Sequence, residues 1–170
     1  IELTSLLFSL FVVKHFVIDY WLQNEYQWIN KGTYLHPGGI LHSALHGLGT
    51  FIIFSFIHFE YSKDIVFAFA LGTVDIFIHY HIDWIKTNVQ RDLNYKQEDK
   101  GFWILLGIDQ SLHFLTYVFL IYVNSLPTIP YPLASLLSLM SLVAYLFLFA
   151  LGLGTVCSLY DDFRNKHSKR

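Results

Sequence analysis

Residues 67–86 read FAFALGTVDIFIHYHIDWIK. Asp75 apart, the first dozen positions suit the interior of a bilayer, yet the run closes on His79, His81, Asp83 and Lys86. About 20 such residues cross a hydrocarbon core as a helix. The stretch therefore reads as a transmembrane helix with ionisable groups near one end. Similar apolar runs cover 3–23, 38–59, 64–86, 102–123 and 132–160, which predicts five spans. Composition agrees: 54% of residues are hydrophobic and 14% charged, where soluble chains carry about 25% charged residues.

The expected fold class is an all-α polytopic membrane protein, one transmembrane domain over 1–170. Residues 1–124 form a four-helix bundle, 125–160 hold the fifth helix and 161–170 a basic tail. The first run does not read as a signal peptide, because it lacks a basic leader and contains Lys14, His15 and Asp19. A single cysteine, Cys157, excludes an internal disulfide and a thiolate metal cluster. With a net charge of −2 and no polybasic stretch, nothing points to nucleic acid.

Orientation follows from lysine and arginine. One side of a five-span topology holds only Lys63. The other holds Lys31, Lys86, Arg91, Lys96, Lys100, Arg164, Lys166, Lys169 and Arg170. The N-terminus is expected outside and the tail in the cytoplasm.

His79 and Asp83 are four residues apart and share a helix face. The spacing recurs as His15/Asp19, His42/His46 and Asp109/His113 on the other three of the first four spans. Because the spans alternate in direction, all four pairs fall at one level, about one to two turns below the cytoplasmic surface. Ionisable groups in a bilayer cost several kcal/mol each and face a partner or a cavity. Imidazoles and carboxylates are ligands for zinc, manganese, iron or nickel, and ligands one helical turn apart build helical zinc sites. Eight candidates exceed the four of a structural zinc site. The expectation is therefore two or more divalent ions, zinc first, with manganese or iron as alternatives. A metal-free His–Asp hydrogen-bond network is the competing reading.

Gln23 and Gln110 are candidate orienting or substrate-binding amides, against the reading of helix-end polar residues. Asp75 is either a deeper ligand or the partner of Lys14. Lys86 reads as a snorkelling lysine or an anion binder. His81 points off the His79–Asp83 face, and His36, His58 and His167 read as ordinary histidines of links and tail. Tyr20, Trp21, Trp28, Trp84 and Trp103 form an interfacial belt. The fifth helix offers no ligand. It reads as a packing helix, or one that binds a protein partner or a second copy, with Ser135, Ser138 and Ser141 as small contact residues.

The ordered set His15-x3-Asp19-x3-Gln23, Lys31, His42-x3-His46, His79-x3-Asp83-x2-Lys86 and Asp109-Gln110-x2-His113 resembles the small bacterial and phage membrane proteins grouped as domain of unknown function 3307. The likeness spans roughly residues 5–120. It implies a bacterial, or phage-infected host, inner membrane and the same site, but no activity. More distantly, the helical pairs resemble those of membrane-bound metal-dependent hydrolases. They are also similar to those of zinc-dependent phospholipase C and related all-helical nucleases, although this chain has no His-x3-Glu pair.

Three functions follow as expectations. The first is a membrane-embedded metal-dependent hydrolase acting on a lipid-linked phosphoester through metal-activated water. Its ligands are His15, Asp19, His42, His46, His79, Asp83, Asp109 and His113. Asp109 is the candidate general base, assisted by Gln23 and Gln110, and Lys31 and Lys86 hold the anion. The second is a di-iron membrane oxidase, disfavoured because Glu2, Glu25, Glu60 and Glu98 lie at helix ends or in links. The third is a non-enzymatic metal-stabilised subunit, transporter or sensor. Conduction fits poorly, since the outer half offers little polar besides His58.

Overall fold

The computed structural model describes residues 2–60 and 65–126. The predicted fifth helix and tail lie outside the described residues. The fold is all-helical. α1 (Glu2–Val17) continues through a π-helical turn over Ile18–Leu22. Then come α2 (Glu25–Asn30), α3 (Pro37–Glu60), α4 (Ile65–Asp92) and α5 (Lys100–Ser125). Among the described residues, four helical segments are long and apolar enough to span a membrane: Leu3–Leu22, Pro37–Ile57, Ile65–Asp92 and Lys100–Ser125. The shortest, at 20 residues, is about 30 Å long, the thickness of a hydrocarbon core.

Solvent exposure is inverted relative to a soluble bundle. Leu6, Val13, Phe56, Leu115 and Phe119 face outward and uncovered, as lipid-facing positions do. The interior is divided by depth. One end of the bundle packs Leu7, Phe11, Phe54, Ala68, Leu71, Tyr117, Leu120 and Ile121 into an apolar cluster, with Phe11 stacked on Tyr117 at 5.0 Å. Toward the other end the buried side chains turn polar. His15, His42, His46, His79, Asp83, Asp109 and His113 are all shielded there.

Small residues set how closely α3 and α4 approach. A Cβ on Gly47 would stand 2.5 Å from the Gly72 carbonyl oxygen, and one on Gly72 would stand 2.7 Å from that of Gly47. Only hydrogen fits at either position, a close crossing of the kind that small residues permit between membrane helices. That crossing brings His42 and His46 against His79.

The structure differs from the sequence reading at the edges of the site. α1 does not run as a regular helix to residue 23; it widens into the π-turn at Asp19 and ends at Leu22. Gln23 is extended, with φ −74° and ψ 116°. α4 continues six residues past Lys86 to Asp92. The short α2 falls in what reads as a loop. Its start is fixed by a capping box: the Asn24 side chain accepts from the Gln27 N–H at 3.0 Å, and the Gln27 side chain accepts from the Asn24 N–H at 3.0 Å. The following turn is pinned to α4. Asn88 donates to the Gly32 carbonyl at 3.0 Å, and the N–H of Leu35 donates to the Tyr80 hydroxyl at 2.5 Å. Leu35 itself has a left-handed φ of 56°.

Candidate metal centre

Each spanning helix presents a polar stripe at four-residue intervals to the bundle axis. The stripes carry His15 and Asp19 on α1 and its π-turn, His42, His46 and Thr50 on α3, Asp75, His79 and Asp83 on α4, and Asp109, His113 and Tyr117 on α5. The eight residues expected from sequence are brought into one layer. The imidazoles are packed ring to ring. His46 stacks on His79 at 3.6 Å and His79 on His113 at 4.1 Å, while His42 meets His79 edge-on at 5.2 Å.

Two donor groups with metal-compatible spacing stand out: Asp19, His42, His46 and His79, and then His79, Asp83 and His113. Within each group the ligand atoms lie within 4.8 Å of one another. In the first group, Asp19 Oδ1 lies 2.9 Å from His46 Nε2 and 3.4 Å from His42 Nε2. His42 Nε2 lies 3.3 Å from His79 Nε2. Nitrogen and oxygen ligands at 2.0–2.1 Å from a tetrahedral ion are separated from each other by about 3.3 Å. Three edges of the group thus match those of a coordination polyhedron, and the rest are within 4.8 Å. The second group is wider: His113 Nε2 is 3.6 Å from Asp83 Oδ1, and His79 Nε2 is 3.7 Å from Asp83 Oδ2. Asp83 Oδ2 also approaches His42 Nε2 at 3.3 Å, so this carboxylate borders both groups.

Several buried atoms of the layer lack a hydrogen bond among the described residues. Asp83 Oδ2 and Asp109 Oδ1 are buried acceptors without a hydrogen-bond partner among the described residues, and His46 Nδ1 and His79 Nδ1 are likewise unpaired. A buried carboxylate oxygen left without a donor is costly, and a cation satisfies it. The donor set is imidazole and carboxylate throughout, which suits zinc, manganese or iron.

His15 and Asp109 stand outside the two tight groups. His15 Nε2 faces Asp19 Oδ2 at 3.2 Å and the Gln110 amide oxygen at 3.1 Å. Its Nδ1 is 2.7 Å from the Tyr117 hydroxyl. Gln110 points its amide nitrogen at Asp109 Oδ2, 3.1 Å away. Its oxygen is thereby turned toward His15, which donates from Nε2 and accepts from Tyr117 at Nδ1. His15 is thus engaged at both ring nitrogens and holds Asp19, while Asp109 keeps Oδ1 unpaired, 3.6 Å from His113. Gln23 reaches the layer from beyond the π-turn and lies 3.2 Å from the His42 ring nitrogens.

Lys14 and Asp75 form a separate ion pair on the apolar side of the layer. Lys14 Nζ donates to Asp75 Oδ2 at 2.7 Å, to Thr50 Oγ1 at 2.9 Å and to the His46 carbonyl at 3.2 Å. Asp75 is accordingly a partner of Lys14, the second of the two roles open from sequence. Lys31, at the end of α2, reaches Asp83 Oδ1 at 3.3 Å. Burial pulls its ammonium pKa down, but the carboxylates of Asp83, Asp19 and Asp109 outweigh it and leave the value above that of an ordinary lysine. Lys86 sits 5.7 Å over the Phe102 ring and makes no ion pair among the described residues. His81 bonds the Phe77 carbonyl and His36 the Gly38 N–H, both away from the layer. Tyr20, Trp21, Trp28 and Trp103 are exposed, while Trp84 packs against Tyr34 at 5.0 Å.

Sequence reasoning missed Tyr117 and Thr50. Each continues a recognised stripe by one turn, His113 to Tyr117 and His46 to Thr50, so the signal was present in the spacing.

The family model described as "Protein of unknown function (DUF3307)" matches residues 7–144. The chain belongs to this family. The DUF3307 match encloses every candidate ligand from His15 to His113 and extends beyond the motifs that suggest it. No curated protein and no solved structure matches the chain. Membership in DUF3307 carries no activity with it, and the resemblance to metal-dependent hydrolases rests on the residue pattern alone.

Proposed function

We propose that this DUF3307 protein is a membrane-embedded, metal-dependent hydrolase acting on a lipid-linked phosphoester. The observation that carries the reading is the first donor group, where three imidazole Nε2 atoms and a carboxylate oxygen converge at polyhedral spacing inside a membrane-spanning bundle. Asp19, His42, His46 and His79 would hold one divalent cation, and Asp83 and His113 would offer ligands to a second; the single Nε2 lone pair of His79 can serve one of the two ions. A pair of such ions would lower the pKa of a bound water and neutralise charge developing on phosphate oxygens.

The chain's own residues supply the rest. Asp109 is the general base: Gln110 holds one carboxylate oxygen, and the other has no hydrogen-bond donor among the described residues and faces His113 Nε2 at 3.6 Å. His15 fixes Asp19, and Tyr117 fixes His15. Gln23 borders His42 where a substrate headgroup would enter. Lys31 and Lys86 lie toward the same end of the bundle and offer cations to an anion. We read that end, from the lysine and arginine distribution, as the cytoplasmic face of an inner membrane, the level at which lipid phosphates lie. The exposed Trp21 and Trp28 there suit the interface.

Zinc or manganese content of the detergent-purified protein, measured together with phosphate release from a panel of lipid phosphates, tests the proposal. Bound metal with chelator-sensitive turnover supports it. Bound metal without turnover on any lipid phosphate favours the metal-stabilised subunit, and bound iron with an optical band responding to peroxide favours the oxidase.

A further inference from the structure

The two donor groups differ in what already occupies them. Around Asp19, His42, His46 and His79 no lysine or arginine makes an ion pair among the described residues. Asp83, in contrast, is paired with Lys31. Its Oδ1 is shared between Lys31 Nζ at 3.3 Å and His113 Nε2 at 3.6 Å. That carboxylate belongs to the second donor group, and a divalent cation bound there would lie beside the ammonium. The lysine is held in place by its neighbours. Its own N–H caps α2 through the Gln27 carbonyl at 3.1 Å, and the next residue, Gly32, is tied to Asn88.

Charge counting points the same way. Asp19, Asp83 and Asp109 bring three negative charges to the layer and Lys31 one positive, leaving two negative with neutral imidazoles. One divalent ion neutralises that. A second would leave two uncompensated positive charges in a membrane-embedded site, and one of the two is the lysine's. Uncompensated charge in such a site is strongly disfavoured.

We propose that Lys31 is an exchangeable cation that stands in for the second metal ion. The group formed by Asp19, His42, His46 and His79 fills first, and Asp83 and His113 take a second ion only as Lys31 leaves Asp83. Loading is therefore ordered, and the lysine is released at the mouth of the site when the second ion arrives. This rests on the reading of the layer as a metal centre and adds to it the sequence of filling and the residue that sets it.

Zinc titration of metal-stripped full-length protein, against a chelating indicator, tests the exchange. The wild type is expected to show a tight and a weaker class of site. Lys31→Gln is expected to tighten the weaker class about tenfold or more and leave the tight class unchanged, while Lys31→Arg retains two unequal classes. Asp83→Asn is expected to remove the weaker class alone. A wild-type readout guards against misfolded variants. Amine-reactive labelling at Lys31, followed by mass spectrometry, should be slow in the metal-free and one-zinc protein and faster once the second equivalent binds. An unchanged or weakened second class in a folded Lys31→Gln protein, or labelling indifferent to the second equivalent, overturns the exchange while leaving the metal centre standing. No bound zinc in the wild type overturns both.

Discussion

Replacing Lys14 by methionine isolates the energetics of the ion pair beneath the layer. The Nζ atom makes three hydrogen bonds, to Asp75, Thr50 and the His46 carbonyl, and both charged side chains are nearly sealed, at 6% and 1% exposure. Among the described residues, Lys14→Met leaves the Asp75 carboxylate with Thr50 as its one remaining donor, and Asp75 Oδ1 already lacks a hydrogen-bond partner. Stranding one member of a buried pair costs about 3–5 kcal/mol. For a chain of this size each kcal/mol lowers Tm by about 2–4 °C, so the expected loss is roughly 6–20 °C. The double variant Lys14→Met/Asp75→Leu removes both charges and should recover most of it, since an apolar replacement of a whole buried pair is often neutral. Thermal unfolding in detergent, followed by tryptophan fluorescence, reads all three proteins. A Tm fall of under about 2 °C in the single variant, or a double variant no more stable than the single, would refute the reasoning.

Other residues test other links. Asp109→Asn, outside both donor groups, should keep the bound metal but lower turnover on a lipid phosphate by about 10²–10⁴-fold, the usual worth of a general base; equal loss of metal and turnover would make it a ligand instead. Tyr117→Phe removes the donor to His15 Nδ1 and should weaken metal affinity about 10–100-fold, as losses of orienting partners do, with Tm little changed. Gly47→Ala places a methyl group against the Gly72 carbonyl and the Ile76 side chain and should cost about 1–3 kcal/mol by overpacking, visible as a lower Tm; an unchanged Tm would mean that the α3–α4 crossing relaxes freely.

Much of the site was legible because membrane burial makes polar residues conspicuous. His42/His46 and Asp109/His113 needed only the four-residue spacing and alternating helix direction to fall at one depth. What stayed hidden depends on tertiary neighbours. Tyr117 and Thr50 resemble ordinary membrane-helix residues until His15 and Lys14 are seen against them. The π-turn at Asp19 has no signature in the apolar pattern, so Gln23 looked like the next residue on a helical face, whereas it reaches His42 from an extended segment. Lys31 sits in a polar connection where any lysine is unremarkable. Its pairing with Asp83 arises because the Asn24–Gln27 capping box and the Asn88–Gly32 bond fold that connection back over the layer. α2 was missed because six residues with a polar start read as loop.

If the layer holds metal, His79 is the residue it depends on most, because it belongs to both donor groups. Elemental analysis of protein purified without chelators, wild type beside His79→Ala, tests the metal reading most directly. Two or more equivalents of a divalent transition metal are expected in the wild type, with most of it lost in a folded His79→Ala protein. A folded wild type that carries no metal, or a His79→Ala variant that keeps the full complement, would contradict that reading.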